Sequence, residues 1–147
     1  MTLFAGFEHI VREQESLAPY TWFRLGGTAD YFAEPSTEGE LIEIVRRCHE
    51  QEILVRLLGG GSNILVSDEG VRGLVLHLSA ATFSEVEITK NKVRAGGGAK
   101  LAHLVSAAVG AGLAGLEQLA GIPGSVGGAL HGNAGTQSGD IGQWTTQ

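Results

Sequence analysis

Three consecutive glycines stand between two apolar runs in the segment from Leu57 to Val66, and this pattern has the clearest chemical meaning in the chain. Glycine adopts positive φ without a steric penalty, so such a loop can turn successive N–H groups inward around an anion, most often a phosphate. Ser62 and Asn63 add a hydroxyl and an amide beside it. An ordinary hairpin turn is the competing interpretation, but turns usually need only one or two glycines. The pattern favours an anion site.

A second glycine-rich segment, residues 121–135, points to the same chemistry. Between Gln118 and Gly139 the sequence contains no Asp, Glu, Lys or Arg. A ligand there would meet backbone amides and small neutral side chains. Charge neutralisation would therefore come from oriented N–H dipoles, to which a helix beginning near Ser125 could add its N-terminus.

Neither standard nucleotide-binding signature is satisfied. Residues 110–115 spell G-x-G-x-x-G, but they follow a helical pattern instead of a strand, and no acidic residue follows at about twenty residues. We interpret them as a helix end and connector. Gly59–Gly61 is not followed by the G-K-[ST] of a P-loop, which disfavours an ATPase or a kinase. Two glycine loops without these signatures favour a dinucleotide cofactor bound in another way.

Composition narrows the class of protein. The chain has 147 residues, the size of about one domain, and a net charge of −6 with no basic run. We therefore expect no nucleic-acid partner and no anionic membrane surface. Cys48 is the single cysteine, which excludes an internal disulfide and fits a reducing cytosol. Because the sequence shows no signal peptide and no membrane span, we expect a cytoplasmic location. The histidines have no metal-ligand spacing, so we expect no metal site.

Hydrophobic periodicity predicts the main elements. Thr37 and Glu40 have capping-box spacing before a helix from about Glu38 to Gln51, whose apolar face would be Leu41, Ile44, Val45 and Cys48. A second helix would present Leu101, Leu104, Val105 and Ala108 and end at Gly110 or Gly112. Alternating or apolar runs predict strands at Ala29–Ala33, Ile53–Leu58 and Gly73–Leu78, and a hairpin of Val86–Thr89 with Val93–Ala95. Mixing βαβ units with antiparallel strands indicates an α+β fold.

The order of these motifs resembles the UDP-N-acetylenolpyruvoylglucosamine reductases, also called UDP-N-acetylmuramate dehydrogenases. The resemblance runs from Thr21 to the end of the chain. The G-G-G-S-N motif alone would indicate only the wider superfamily of vanillyl-alcohol-oxidase-like, or PCMH-type, FAD domains. The segments that carry it are Thr21 with Arg24–Gly27, Gly59–Asn63, Gly115–Glu117, Gly121–Ala129 and Asn133–Gly135.

The resemblance implies a domain organisation. FAD would lie between two small α+β subdomains with mixed sheets and flanking helices. We expect an irregular lead-in at 1–20 and an FAD-binding domain at 21–147, divided into about 21–78 and 79–147. The fold would be truncated at the C-terminus and the substrate domain absent, so we expect an N-terminal fragment.

The resemblance also implies cofactor, substrate and site residues. FAD would carry a hydride from NADPH to UDP-N-acetylglucosamine enolpyruvate, giving UDP-N-acetylmuramate for peptidoglycan, and we expect the full-length protein to be a monomer. Gly59–Asn63 and Ile122–Gly128 would hold the pyrophosphate of FAD, with Asn133–Gly135 nearer the flavin. The predicted cofactor contacts are Leu58, Gly59, Gly60, Gly61, Ser62, Asn63, Ile122, Pro123, Gly124, Ser125, Gly127, Gly128, Asn133 and Gly135.

Several positions depart from the family pattern. Tyr20 stands where Asn is usual, and Gly132 stands where a larger residue usually precedes Asn133. The family's catalytic Arg, Ser and late Glu would all lie beyond Gln147, so we expect no catalytic residue in this chain and no activity from it alone. His131 is more simply a packing or cofactor contact than an acid. Arg24 is equally compatible with a ligand contact and a structural salt bridge.

Two alternatives to the reductase remain open at this stage. The chain could be a non-catalytic fragment that binds FAD or another nucleotide, or part of another FAD-linked oxidoreductase of the same superfamily. A related oxidase would need a histidine or cysteine that bonds covalently to the flavin, and the sequence offers no convincing candidate.

Overall fold

A computed structural model describes residues 3–146 of the chain. Contacts within the chain divide it into two compact units, the first ending at Thr82 and the second beginning at Phe83. Each unit combines helices with strands, which confirms the predicted α+β class.

The first unit is built on a four-stranded mixed sheet. Its strands lie in the order β1, β2, β4, β3, with β1 antiparallel to β2 and the other neighbours parallel. One helix, α1, joins β2 to β3 and crosses over β4, as parallel strands require. The loop Gly59–Asn63 therefore begins at the carboxyl end of a parallel strand. The elements are β1 (Val11–Ser16), β2 (Thr28–Ala33), α1 (Glu38–Glu50), β3 (Val55–Leu58) and β4 (Val71–His77).

Strand β1 corrects the expectation of an irregular lead-in at 1–20. It pairs with β2 from Val11 opposite Ala33 to Ser16 opposite Thr28, and the next residue, Leu17, is only 2% exposed. The sequence does not predict this strand, because Val-Arg-Glu-Gln-Glu-Ser contains one apolar residue and shows no alternation of apolar and polar residues. Pairing to β2 at the sheet edge, more than burial of its own side chains, defines this strand.

Helix α1 forms as its capping signal predicts. The Thr37 hydroxyl accepts from the Glu40 N–H at 3.2 Å, and the Glu40 carboxylate accepts from the Thr37 N–H at 3.1 Å. Ile44 and Cys48 of the predicted face are fully buried. Val45 is 39% exposed, because successive helical residues point about 100° apart and this side chain falls at the rim of the face.

The second unit contains the predicted hairpin and the second helix. All four residues predicted for the buried face of α2 are buried, and Leu101, Leu104 and Val105 pack in one cluster with residues of α3 and of the turn Leu116–Leu119. Gly112, with φ of 78°, follows the end of α2, so the G-x-G-x-x-G sequence is a helix end and connector as predicted. The elements are β5 (Val86–Thr89), β6 (Lys92–Ala95), α2 (Leu101–Gly110), α3 (Val126–His131), β7 (Gly135–Thr136) and β8 (Gly139–Asp140).

Residues 3–146 contain neither a membrane-spanning helix nor a cluster of metal-ligating side chains. None of the helices there has the length and apolar character needed to cross a bilayer. Within the same range, no three His, Cys, Asp or Glu side chains are grouped so that they could hold a metal ion.

Replacing the capping threonine tests how α1 is held. Thr37→Ala removes the hydroxyl that accepts from the Glu40 N–H, so the free energy of unfolding should fall by about 1 kcal/mol. Thr37→Ser keeps the hydroxyl and should stay near the parent in urea unfolding. Equal stability of the alanine and serine variants would contradict the role of this cap.

Candidate functional site

The loop Gly59–Asn63 is packed directly against another stretch of backbone. Gly61 is its left-handed residue, with φ of 65°, and a Cβ built there would lie 1.9 Å from the carbonyl oxygen of Tyr20. The Trp22 N–H donates to the Gly61 carbonyl at 3.0 Å. Glycine is required at position 61 because a side chain would occupy the place of the Tyr20 carbonyl.

The segment that receives this loop is itself a tight turn. Thr21 is buried, and its hydroxyl bonds to the Leu25 carbonyl at 3.0 Å and accepts from the Leu25 N–H at 3.3 Å. A Cβ on Gly26 would lie 2.6 Å from Cβ of Val66, and one on Gly27 would lie 2.3 Å from the Asp68 carbonyl oxygen. The glycine pair thus lets this turn contact the chain that follows the Gly59–Asn63 loop.

The loop keeps N–H donors for a ligand. Among the hydrogen bonds of residues 3–146, none is donated by the N–H of Gly60 or Gly61. Gly60 is exposed whereas Gly61 is buried, so of these two residues only Gly60 lies at the surface. Adjacent backbone N–H groups in a glycine loop fit a phosphate group, so the residues present are suited to a dinucleotide pyrophosphate.

The N–H groups at the N-terminus of α3, which the sequence predicted to face an anion, are already hydrogen-bonded within the protein. The first three N–H groups of α3 have partners inside the second unit: Val126 donates to Ala99, Gly127 to Gly97 and Gly128 to the Ser125 hydroxyl. The helix has only six residues. These N–H groups are not available to an anion, which corrects the prediction that this helix end would neutralise charge.

The glycines around α3 have packing reasons of their own. A Cβ on Gly127 would lie 2.9 Å from the Gly97 carbonyl oxygen. Gly124 has φ of 113°, and its carbonyl accepts from the Leu101 N–H at 3.0 Å. Ser125 is buried and caps α3, while Ile122 is partly buried against the core of the unit. Because position 127 is a glycine, the backbone there can lie directly against the backbone at Gly97.

The residues after α3 form a small closed structure. Asn133 is left-handed, with φ of 45°, and its side-chain oxygen accepts from the Gly142 N–H at 3.1 Å. Gly135 pairs with Asp140, where a Cβ would lie 2.7 Å from the Asp140 Cβ. At Gly132 an added Cβ would be 3.6 Å from the nearest atom, an ordinary contact. The space around a Cβ at position 132 therefore does not explain this departure from the family pattern.

The structure brings the predicted contacts together in two groups, one in each unit. Leu58, the last residue of β3, and the loop Gly59–Asn63 are continuous in the first unit, and Ile122 to Gly128 with Asn133 and Gly135 lie in the second. His131 is exposed at the end of α3. The Arg24 guanidinium donates to the Pro19 carbonyl at 3.3 Å and forms no ion pair with any described residue, so the salt-bridge alternative is not supported.

Sequence reasoning missed the importance of Tyr20. It registered only as a departure from the family pattern, whereas its carbonyl oxygen lies against Gly61. No local pattern reveals this contact, because the two residues are far apart in sequence.

The family of this chain is shown by comparison with known proteins. Residues 29–146 match a family described as FAD binding domain. The chain belongs to this family of FAD-binding domains, and FAD is its predicted cofactor, now supported by the family itself.

Two similar curated proteins carry the same name. The UDP-N-acetylenolpyruvoylglucosamine reductase of Rhodopirellula baltica is 45% identical over 134 residues, which are 91% of this chain and 44% of that protein. The protein of the same name from Listeria monocytogenes is 43% identical over 136 residues, 92% of this chain and 45% of that protein. The resemblance predicted from the motifs is confirmed. This chain spans less than half the length of these relatives.

Solved structures show the same likeness. The crystal structure of UDP-N-acetylenolpyruvylglucosamine reductase from Thermus caldophilus has a TM-score of 0.71 and 39% identity, covering 88% of this chain and 45% of that one. A solvent-stable cholesterol oxidase has a TM-score of 0.62 at 18% identity, covering 84% of this chain and 24% of that one. The second likeness shows the fold alone.

The backbone contact at Gly61 predicts an unequal response to alanine. Gly61→Ala combines a left-handed φ with a clash against the Tyr20 carbonyl, so it should destabilise the protein by at least about 3 kcal/mol. Gly112 is also left-handed, but an added Cβ there meets nothing within 4 Å. Gly112→Ala should therefore cost only about 1–2 kcal/mol. Chemical unfolding that gives equal losses for the two variants would show that the clash is relieved at no cost.

Proposed function

We propose that this chain is the FAD-binding portion of an NADPH-dependent UDP-N-acetylenolpyruvoylglucosamine reductase, which makes UDP-N-acetylmuramate for peptidoglycan. The observation that carries the proposal is the loop Gly59–Asn63, whose glycine N–H groups fit a pyrophosphate. The chain that contains this loop is 45% identical over 134 residues to a protein of that name.

We propose two groups of cofactor contacts, each within its own unit. In the first unit, Leu58 leads into the loop and the N–H groups of Gly60 and Gly61 donate to phosphate oxygens, with Ser62 and Asn63 beside them. In the second unit, the N–H of Gly127 already donates to the Gly97 carbonyl and that of Gly128 to the Ser125 hydroxyl, so these residues would contribute by leaving the surface without side chains. The remaining proposed contacts there are Ile122, Pro123, Gly124, Ser125, Asn133 and Gly135.

The division of chemical work follows from this assignment. FAD, when bound, supplies the capacity to accept and deliver a hydride, while the protein binds and orients it. Residues of this chain would hold and orient the cofactor. We assign binding of the UDP-sugar substrate and donation of the proton to the whole reductase, and to no residue of this chain. The cytoplasmic location and the monomeric state stay predictions.

Substituting Gly60 tests the loop as the cofactor site. Gly60→Val places two methyl groups beside the N–H donors, so FAD retention should be lost while the cofactor-free protein stays folded. FAD at about 100 times its dissociation constant should stabilise the parent by roughly 2.7 kcal/mol. Thermal unfolding with and without FAD measures this difference.

A matched control for this test lies in the second unit. Gly110 is exposed at the end of α2, and a Cβ there meets nothing within 4 Å. Gly110→Val makes the same chemical change away from the loop and should keep the full stabilisation by FAD. If FAD raises the melting temperature of Gly60→Val as much as that of the parent, Gly60 does not line the site.

Turnover tests whether the chain can act alone. With FAD added, the 147-residue chain should not reduce UDP-N-acetylglucosamine enolpyruvate with NADPH. Holding a substrate in reacting geometry can supply roughly 7–11 kcal/mol of barrier reduction, and this chain spans only 44% of the reductase from Rhodopirellula baltica. A missing general acid would cost a further factor of about 10²–10⁴.

Product analysis decides this prediction. Slow oxidation of NADPH by oxygen in the presence of the flavoprotein agrees with it, because no UDP-sugar is consumed. Formation of UDP-N-acetylmuramate at an enzyme-like rate would contradict it and would place the proton donor inside this chain, with His131 the first residue to test.

A further inference from the structure

A hydrogen-bonded cluster surrounds the side chain of Tyr20 in the first unit. The phenol donates to the Glu15 carboxylate at 3.0 Å and accepts from Nη2 of Arg12 at 3.0 Å. Arg12 in turn bonds to the Glu34 carboxylate at 2.6 Å. Both Arg12 and Glu15 lie on β1, so the phenol is attached to the edge strand of the sheet.

The cluster also reaches the other strands. The second oxygen of the Glu34 carboxylate lies 3.0 Å from Nδ1 of His77 and accepts from the Ser79 hydroxyl at 2.8 Å. The Tyr20 ring lies 4.5 Å from the ring of Phe32 on β2 and 5.6 Å from that of His77 on β4. Three strands therefore hold one aromatic side chain in place.

The ionisation of the cluster suits these hydrogen bonds. Burial and the hydrogen bond to Glu15 raise the pKa of the Tyr20 phenol, so it stays a donor at neutral pH. Burial alone would raise the pKa of Glu34, but hydrogen bonds from Arg12, Ser79 and His77 outweigh it and lower the pKa. Glu34 is therefore ionised and pairs with Arg12, which keeps the guanidinium beside the phenol.

The backbone of Tyr20 contacts the proposed cofactor loop. Its carbonyl oxygen fills the space that a side chain at position 61 would need. Two residues later, the Trp22 N–H donates to the Gly61 carbonyl at 3.0 Å. On the other side, the Tyr20 N–H donates to the carbonyl of the buried Leu17 at 3.0 Å. Tyr20 is therefore restrained through its side chain and contacts the loop through its backbone.

We propose that Tyr20 is a positioning residue for FAD: its phenol, held by Glu15 and Arg12, fixes the backbone against which Gly61 packs, and so sets the N–H donors of the loop. The proposal rests on the proposed function, in which Gly59–Asn63 binds the cofactor. Tyr20 itself touches neither cofactor nor substrate in this account.

Tyr20→Phe separates this role from simple packing. Phenylalanine keeps the ring against Phe32 and His77 and removes only the two hydrogen bonds of the phenol. Tyr31→Phe is the matched control, because Tyr31 lies on β2 with its ring 5.1 Å from the ring of Phe4, outside the cluster.

Hydrogen exchange of the cofactor-free protein tests the first step. The Trp22 amide reports on the contact with Gly61, and its exchange should be about five- to tenfold faster in Tyr20→Phe, the size expected for loss of the net contribution of a typical hydrogen bond. The Leu74 amide donates to the Leu54 carbonyl at 2.9 Å and should not change. Tyr31→Phe should exchange as the parent does at both amides.

FAD affinity, measured well below the melting temperature, tests the second step. Tyr20→Phe should raise the dissociation constant about five- to tenfold, and Tyr31→Phe should leave it unchanged. Glu15→Gln keeps an oxygen acceptor for the phenol and should bind nearly as the parent does. Glu15→Leu removes the acceptor and should behave like Tyr20→Phe.

The outcomes separate this inference from the function on which it rests. If the parent binds no FAD, the proposed function fails and this inference with it, even where the exchange results show a structural link. If the parent binds FAD and Tyr20→Phe binds it equally well, only the inference is overturned. A lower melting temperature with unchanged affinity and unchanged Trp22 exchange would mean that Tyr20 stabilises the fold alone.

Discussion

The contact between the Tyr20 carbonyl oxygen and the Cα of Gly61 is the constraint on which the first unit depends. It brings the loop after β3 against the turn before β2, and the hydrogen bond from Trp22 to Gly61 closes the same junction. Because the loop is held through its backbone carbonyl, its N–H groups remain for a ligand. The same backbone contacts therefore hold the loop in place and leave the N–H groups of Gly60 and Gly61 unused by any described hydrogen bond.

Glycine serves a different purpose in the second unit. Gly127 allows α3 to approach Gly97. At the start of the helix the Val126 and Gly127 N–H groups donate to that neighbouring backbone, and the Gly128 N–H donates to the Ser125 hydroxyl. The two glycine-rich segments look alike in sequence, yet the N–H groups at the start of α3 are already bonded, whereas those of Gly60 and Gly61 are used by no described hydrogen bond. Glycine content alone does not distinguish a binding loop from a close backbone crossing.

Elements with a strong period were predictable from the sequence. Helix α1 has a capping box and a buried face, α2 has four regularly spaced apolar residues, and the hairpin alternates around Lys90 and Asn91. Strand β1 was not predictable, because its residues are polar and long-range pairing defines it.

The sequence predicted where the candidate site lies, but not which contacts hold the loop or which N–H groups are already bonded. The run at Gly59–Gly61 located the loop, and the motif order identified the FAD-binding family. That Gly61 must be glycine depends on Tyr20, and that the α3 N–H groups are occupied depends on Gly97 and Ala99. Such contacts join residues distant in sequence, so no local pattern carries them.

Cofactor selectivity is the most direct test of the account. The 147-residue chain is mixed with equimolar FAD, ATP and NAD, desalted, and the retained nucleotide is identified by its absorption spectrum and chromatography. If the chain is an FAD-binding domain, the protein will be yellow, will retain FAD and will exclude the other two nucleotides. A colourless protein that retains ATP or NAD would contradict it.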